Sequence, residues 1–215
     1  MAKATGKTTM IEGADDADTR IVIAQRGWVF VGDYDHTDRS VILSNAKTVR
    51  NWGTEHGLGQ LEGGPLSGTV LDMAGTVRLH PLQVIATIDV DAQAWKAPLK
   101  KGKNPRPRKE GAPDTRIVIV QRGWVFVANY EETDKGVVLS GTGYAGTVDD
   151  AYKGGPKTIR NWGTEHGLGQ LIDGPLSGTV LDLAGPRVRL HPLQVIATID
   201  VDWEPWAKHL ATRNA

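Results

Sequence analysis

One polar segment occurs twice in this chain, unchanged: RNWGTEHGLGQL at Arg50–Leu61 and again at Arg160–Leu171. Its residue types suit recognition. The guanidinium of Arg50, or of Arg160, is a planar fork matched to carboxylate or phosphate. Trp52 and Trp162 offer an apolar face to a ring or an aliphatic group. Asn51, His56 and Gln60, with Asn161, His166 and Gln170 in the second occurrence, add donors and acceptors in the same short stretch. Glycines between them let a ligand or a second backbone come close. The pattern describes a binding patch. A plainer reading also fits: Trp52 anchors a small core and the glycines only make turns. For Arg50, His56 and Gln60, contact and ordinary surface are equally open. A second duplicated motif, Gln-Arg-Gly-Trp, puts Arg26 and Trp28, then Arg122 and Trp124, at a hairpin tip. That tip either makes contacts or simply turns the chain before a core Trp.

Catalysis is poorly supplied. His56, Ser67 and Asp72 can be arranged on paper as a triad, and His166, Ser177 and Asp182 repeat them, but no nucleophile elbow accompanies either set. His56 and His80 lack metal-ligand spacing. The run GTGYAG at 141–146 matches a dinucleotide fingerprint only in its glycines; no crossover helix or later acid follows, and it occurs once. Tyr144 and Tyr152 nearby would instead make a contact confined to the second half. The chain has no cysteine, which removes disulfides, thiolate catalysis and Cys-based metal sites. The expectation is a non-enzyme with no cofactor and no metal.

These motifs sit inside a larger repeat. Asp18–Asp91 recurs as Asp114–Asp202, with an insertion at about 141–156. A unit of this size can fold alone only marginally, and it is too long for a solenoid repeat. The division expected is an arm at 1–17, a β domain at 18–94, a linker at 95–113, a second β domain at 114–202 and a tail at 203–215. The linker is rich in proline and basic: Lys100, Lys101, Lys103, Arg106, Arg108 and Lys109 lie in it. Such a segment is either a solvated spacer or a strap for an acidic surface or a nucleic-acid backbone.

Within each copy, short β-branched and aromatic runs alternate with Gly, Pro and Asp turns. They fall at Arg20–Gln25, Trp28–Val31, Ser40–Leu43, Lys47–Trp52, Thr69–Leu71, Thr76–Leu79 and Gln83–Asp89. The spacing predicts an all-β fold, two tandem antiparallel barrels or sandwiches. Gly53–Leu61 reads as one or two helical turns and Glu204–Ala211 as a short helix with Pro205 in its first turn. Lys plus Arg and Asp plus Glu are 25 each, so no net charge draws the chain to nucleic acid. No apolar run is long enough to span a membrane, and Met1–Met10 lacks the apolar stretch of a secretory signal.

The order of motifs resembles a family of small phage and prophage proteins, usually of one copy. The matching residues are Gly27–Gly32, Val41–Asn45, Trp52-Gly53 and Leu58–Leu61, then Gly123–Ala128, Val137–Ser140, Trp162-Gly163 and Leu168–Leu171. The resemblance implies a viral gene and supplies no catalytic residues. The function expected is assembly: a virion accessory component, such as a capsid decoration or a minor head or tail protein. Its partners would be other viral proteins or further copies of itself, in the virion or the host cytoplasm. The alternative is a phage protein that sequesters a small ligand such as a host signalling nucleotide, or an inhibitor of another protein.

Overall fold

A computed structural model of the chain describes residues 18–100, 104–142 and 154–212. The arm at 1–17, Lys101, Lys103, and most of the insertion, with Tyr144, Tyr152 and all but Gly141 and Thr142 of the GTGYAG run, lie outside the described residues.

The first repeat holds β1 (Thr19–Ala24), β2 (Val29–His36), β3 (Val41–Asn51), β4 (Val70–Leu79), β5 (Val84–Asp89) and helix α1 (Ala92–Lys100). The second holds β6 (Thr115–Val120), β7 (Val125–Thr133), β8 (Gly136–Ser140), β9 (Lys157–Asn161), β10 (Val180–Leu183), β11 (Arg187–Leu190), β12 (Val195–Asp200) and helix α2 (Trp203–Ala211). The fold is all-β and antiparallel. In repeat 1 the strands lie in the order β5-β1-β2-β3-β4. The turn Pro81–Gln83 joins β4 directly to β5, the two outer strands. So short a link forces the sheet to curl until its edges approach. The segments read as pairs of short strands are single strands here: β3 and β4 run through a bulge near Ala46 and Gly75. In repeat 2 the insertion enters at that bulge and splits the third strand into β8 and β9.

The sheet does not stop at the repeat boundary. β12 pairs with β6 inside its own repeat and with β4 of the first, matching Ala197 to Leu79, Thr198 to Arg78 and Ile199 to Val77. Twelve strands of the described residues thus form one sheet. The repeats are joined edge to edge rather than closed as two separate barrels.

Burial follows the same plan. The run Ile21–Ala24 is apolar at consecutive positions because both faces of β1 are covered. Ile21 packs with Val31, Val49 and Leu61 under Trp95 and Leu99 of α1. Val22 points the other way, with Phe30, Leu43 and Val77, into a core that continues through Ile117, Leu171 and Trp206 of repeat 2. The second face of repeat 1 therefore merges with the first face of repeat 2. The second face of repeat 2, Val118, Phe126 and Leu139, forms a third cluster. Residues 95–100, read as linker, are helix. Trp95 and Leu99 at i, i+4 bury one side of it, and the Trp95 indole donates to the Leu61 carbonyl at 2.9 Å. Trp206 does the same to Leu171 at 3.0 Å.

Candidate functional site

The duplicated loop starts where β3 and β9 end. Only its last turn, Leu58–Leu61 or Leu168–Leu171, is helical, and that as a 3-10 turn. The expected one or two helical turns shrink to this because glycines interrupt the segment. Much of the polar chemistry is used internally. The Gln60 side chain accepts from the backbone N–H of Glu55 and of His56, both at 2.8 Å, and closes the loop. Asn51 donates to the Gly68 carbonyl, and Asn161 accepts from the Gly163 N–H. His56 projects into solvent near Glu55.

Both arginines are already paired. Arg50 Nε lies 2.8 Å from Asp72 Oδ2, and Arg160 Nε lies 2.7 Å from Asp182 Oδ2. The same contact sits in two environments: the Asp72 side chain is 4% exposed and the Asp182 side chain 52%. The cover over Asp72 is the second copy of the loop. A Cβ on Gly167 would stand 2.8 Å from Asp72 Cβ, and one on Gly169 would overlap the Met73 carbonyl and stand 2.7 Å from Ala74 N. Loop 2 lies on β4 of repeat 1; loop 1 packs only within its own repeat among the described residues.

The tryptophans divide likewise. The core-anchor reading of Trp52 is corrected: its side chain is well exposed, because Trp95 and Trp206 fill the core positions. Trp162 and Trp28 are half-buried against the shared core, whereas Trp124 is exposed. The hairpin tips hold Arg26 and Arg122 in the left-handed region, at φ 63° and 66°. Arg26 uses that posture to donate to Gln121 Oε1 across the seam between repeats, at 2.6 Å. Gln121 in turn reaches Gln83, whose amide donates to the Leu193 carbonyl. The loop and tip residues are thus partly brought together, along this seam and not around one pocket.

A cleft of about 700 Å³ follows the seam under residues 105–109. Its charges neutralise one another. Arg78 grips Asp200 with Nε and Nη2, at 3.1 and 2.9 Å. Arg116 and Arg108 hold Asp114 at 2.7 and 3.0 Å. Burial pushes the Asp114 carboxyl up, but the Arg116 hydrogen bond and charge, with Arg108 behind them, outweigh it and hold the group below its ordinary range. Residues 104–109 are a strap against the chain's own acids. The backbone N–H and Nε of Arg106 donate to Asp202 at 2.6 and 2.8 Å, and Lys109 reaches Glu204. Asp202 corresponds to Asp91, whose carboxylate instead caps α1 through the N–H groups of Gln93 and Ala94. Lys100 ends α1, on its exposed side.

The sequence reading missed two buried cations, Lys47 and Lys157, the latter fully enclosed and donating Nζ to the Thr212 carbonyl at 2.6 Å. Desolvation lowers the pKa of Lys157. The two are counterparts in the repeats, and a lysine amid apolar strand residues was the available signal. Among the described residues no group of three or more His, Asp or Glu is placed to hold a metal ion. No described helix is long and apolar enough to cross a membrane. No protein-family model, curated protein or solved structure matches the chain.

Proposed function

We propose that the chain is a non-enzymatic assembly subunit, an accessory structural component of a virus particle such as a capsid decoration or a minor head or tail protein. One observation carries this reading. The same loop sequence is pressed against a neighbouring repeat in one copy and displayed in the other, which supports a role in packing against a protein surface. Two of the side chains with catalytic potential, Asp72 and Asp182, serve structure by holding arginines, and Gln60 closes a turn. The viral context rests on the resemblance of each repeat to phage and prophage proteins. Mass spectrometry of purified particles tests it. The chain is expected at a fixed ratio to the major structural protein, and its absence from particles that form in its presence overturns the reading.

The seam cleft favours a second reading, sequestration of a small anionic ligand. Its volume falls in the range of ligand sites, roughly 300–1,000 Å³, and arginines line it. Each of its carboxylates is already paired with an arginine, however, so an anion would have to displace an internal partner. Titration with nucleoside mono-, di- and cyclic dinucleotides, read by calorimetry, decides it. Saturable heat lost in Arg116→Ala supports sequestration.

A further inference from the structure

The two repeats meet through unlike surfaces. Repeat 1 contributes the outer edge of β4, Trp28 and its second apolar face. Repeat 2 contributes β12, the Leu168–Leu171 turn and its first apolar face. Every repeat carries both kinds of surface. The chain therefore ends with one of each uncovered: β5 and the Leu58–Leu61 turn on repeat 1, and β10 with β11 and Trp124 on repeat 2.

Three independent comparisons within the chain show these surfaces to be unfinished copies of the seam. The first is apolar exposure. VIATID is buried from Val195 to Ile199 but mostly exposed at Val84–Asp89; Ile196 is 1% exposed and its counterpart Ile85 59%. Trp52 and Trp124 are exposed where their counterparts at the seam are half-buried. Leu66 and Leu176, outside every seam pairing, are 40% and 41% exposed, so the repeats do not differ in general. The second is charge. Asp200 receives Arg78 across the seam, while its counterpart Asp89, 87% exposed, meets only Arg20 among the described residues, at 3.4 Å. Arg189, the counterpart of Arg78, is exposed and has no ion pair among the described residues. The third is steric. Gly167 and Gly169 leave room for no Cβ because β4 lies beneath them, yet Gly57 and Gly59, in the identical loop, have nothing within 4 Å.

We propose that the uncovered surfaces bind a second copy of this chain head to tail. β11 of one molecule pairs with β5 of the next in the register that joins β4 to β12. Val188, Arg189 and Leu190 then face Ile88, Thr87 and Ala86. Arg189 meets Asp89, and the Leu58–Leu61 turn settles on Leu183 and Ala184 as Leu168–Leu171 settles on Met73 and Ala74. Trp124 and Trp52 are covered in the same step. A contact between unlike surfaces propagates, giving a ring if the rotation closes and a filament if it does not. It also removes an exposed apolar sheet edge of the kind that otherwise invites irregular aggregation. The inference deepens the assembly reading by naming the partner, and rests on it only in treating the chain as a subunit.

The test uses the full chain in sedimentation velocity over a concentration series. The wild type is expected to form a defined species of two or more chains. Gly59→Ala is expected to keep its melting temperature in dilute solution, since the added methyl meets open space in the single chain. Its dissociation constant should rise at least about 100-fold, because each tenfold takes only about 1.4 kcal/mol. Asp89→Arg and Arg189→Asp should each weaken association about tenfold, and the double variant should recover most of the loss. The chain lacks cysteine, so Ala86→Cys with Leu190→Cys reports the register: oxidation should link chains covalently, whereas Ala86→Cys alone gives at most pairs. A wild type that stays monomeric at its highest soluble concentration overturns the proposal. So does an oligomer that Gly59→Ala leaves intact and the cysteine pair does not link. Particle content is read separately, so failure of either idea leaves the other standing.

Discussion

Arg50→Ala and Arg160→Ala remove the same side chain from the same sequence, and burial alone should separate their outcomes. Each arginine sits against an Asp at 2.8 or 2.7 Å. Asp72 is enclosed by loop 2, and its Oδ1 is buried and accepts no hydrogen bond. Arg50→Ala therefore leaves a nearly buried carboxylate with neither oxygen paired by a cation. Removing one partner of a fully buried pair costs about 3–5 kcal/mol. Arg50 itself is half-exposed, so water reaches part of the vacancy, and we expect about 1.5–3 kcal/mol. At roughly 2–4 °C per kcal/mol for a chain of this size, the melting temperature should fall by about 3–12 °C. Arg160 and Asp182 are both solvated, and exposed pairs typically contribute little; Arg160→Ala should leave the melting temperature within error. The assay is thermal unfolding followed by near-ultraviolet circular dichroism, at a dilution where the chain is unassociated. The double variant Arg50→Ala/Asp72→Asn should recover much of the loss, because it removes the stranded charge. Equal losses for Arg50→Ala and Arg160→Ala in the unassociated chain would refute the reasoning.

Three further outcomes follow from the same geometry. Gly169→Ala should destabilise by about 2 kcal/mol or more, within the usual cost of overpacking, since the turn must lift from β4 and carry Leu168 and Leu171 with it; urea midpoints at constant slope measure this. Arg122→Gly should stabilise by roughly 1 kcal/mol by relieving a left-handed non-glycine residue, and Arg26→Gly should gain less, because it also loses the bond to Gln121; calorimetry of the two variants checks the difference. The Asp114 carboxyl has a lowered folded pKa, so its contribution is present above the unfolded value near 3.8 and lost as pH falls through the folded one. Asp114→Asn should therefore cost stability at pH 7 and flatten the acid limb of a stability–pH profile below about pH 4.

The β-rich character, the repeat and the place of the insertion were legible because they reside in local composition and self-similarity. The α2 helix was legible for the same reason, through Pro205 and the apolar residues around it. Helix α1 was hidden by the lysines and proline that follow Trp95, although Trp-x-x-x-Leu stands at the same point of both repeats and would have exposed it. β3 and β4 were read as broken because Asn45 and Gly75 look like turn residues; both have positive φ, and both sit in bulges inside continuous strands. The arginine–aspartate pairs were out of reach because they depend on register: Arg50 and Asp72 become neighbours only once β3 and β4 are aligned. The seam was least legible. Identical sequences cannot say which copy is covered, since that depends on where each lies along the sheet and not on what it contains.

That same identity bears on how the surface is used. Four segments are unchanged or nearly so between repeats: the loop Arg50–Leu61, the stretch Gly64–Asp72, the stretch Arg78–Asp91 and the hairpin Gln25–Val31. Parts of them contribute to the seam in one repeat and face outward in the other: Gly169 lies on β4 while a Cβ on Gly59 would meet nothing, and Thr198 pairs with Arg78 while Thr87 is exposed; the two hairpins meet each other there, through Arg26 and Gln121. The hairpin end between β2 and β3 differs freely, YDHTDRS against YEETDKG, and supplies none of the seam hydrogen bonds or ion pairs among the described residues. A lone chain makes different demands on the two copies: a buried strand needs apolar residues at Val195–Ile199, while a solvated edge at Val84–Asp89 is better served by charge or proline. A head-to-tail assembly makes the same demand on both, because every repeat then has a neighbour on each side. In that setting Ile85 needs the apolar character that Ile196 needs, and Gly59 needs the missing Cβ that Gly169 needs. Substitutions at Ile85 and Gly59 should then be silent in dilute solution and disruptive at concentration. Arg160→Ala should change likewise, from harmless in the separate chain to destabilising in the assembly, as the next molecule's loop encloses Asp182.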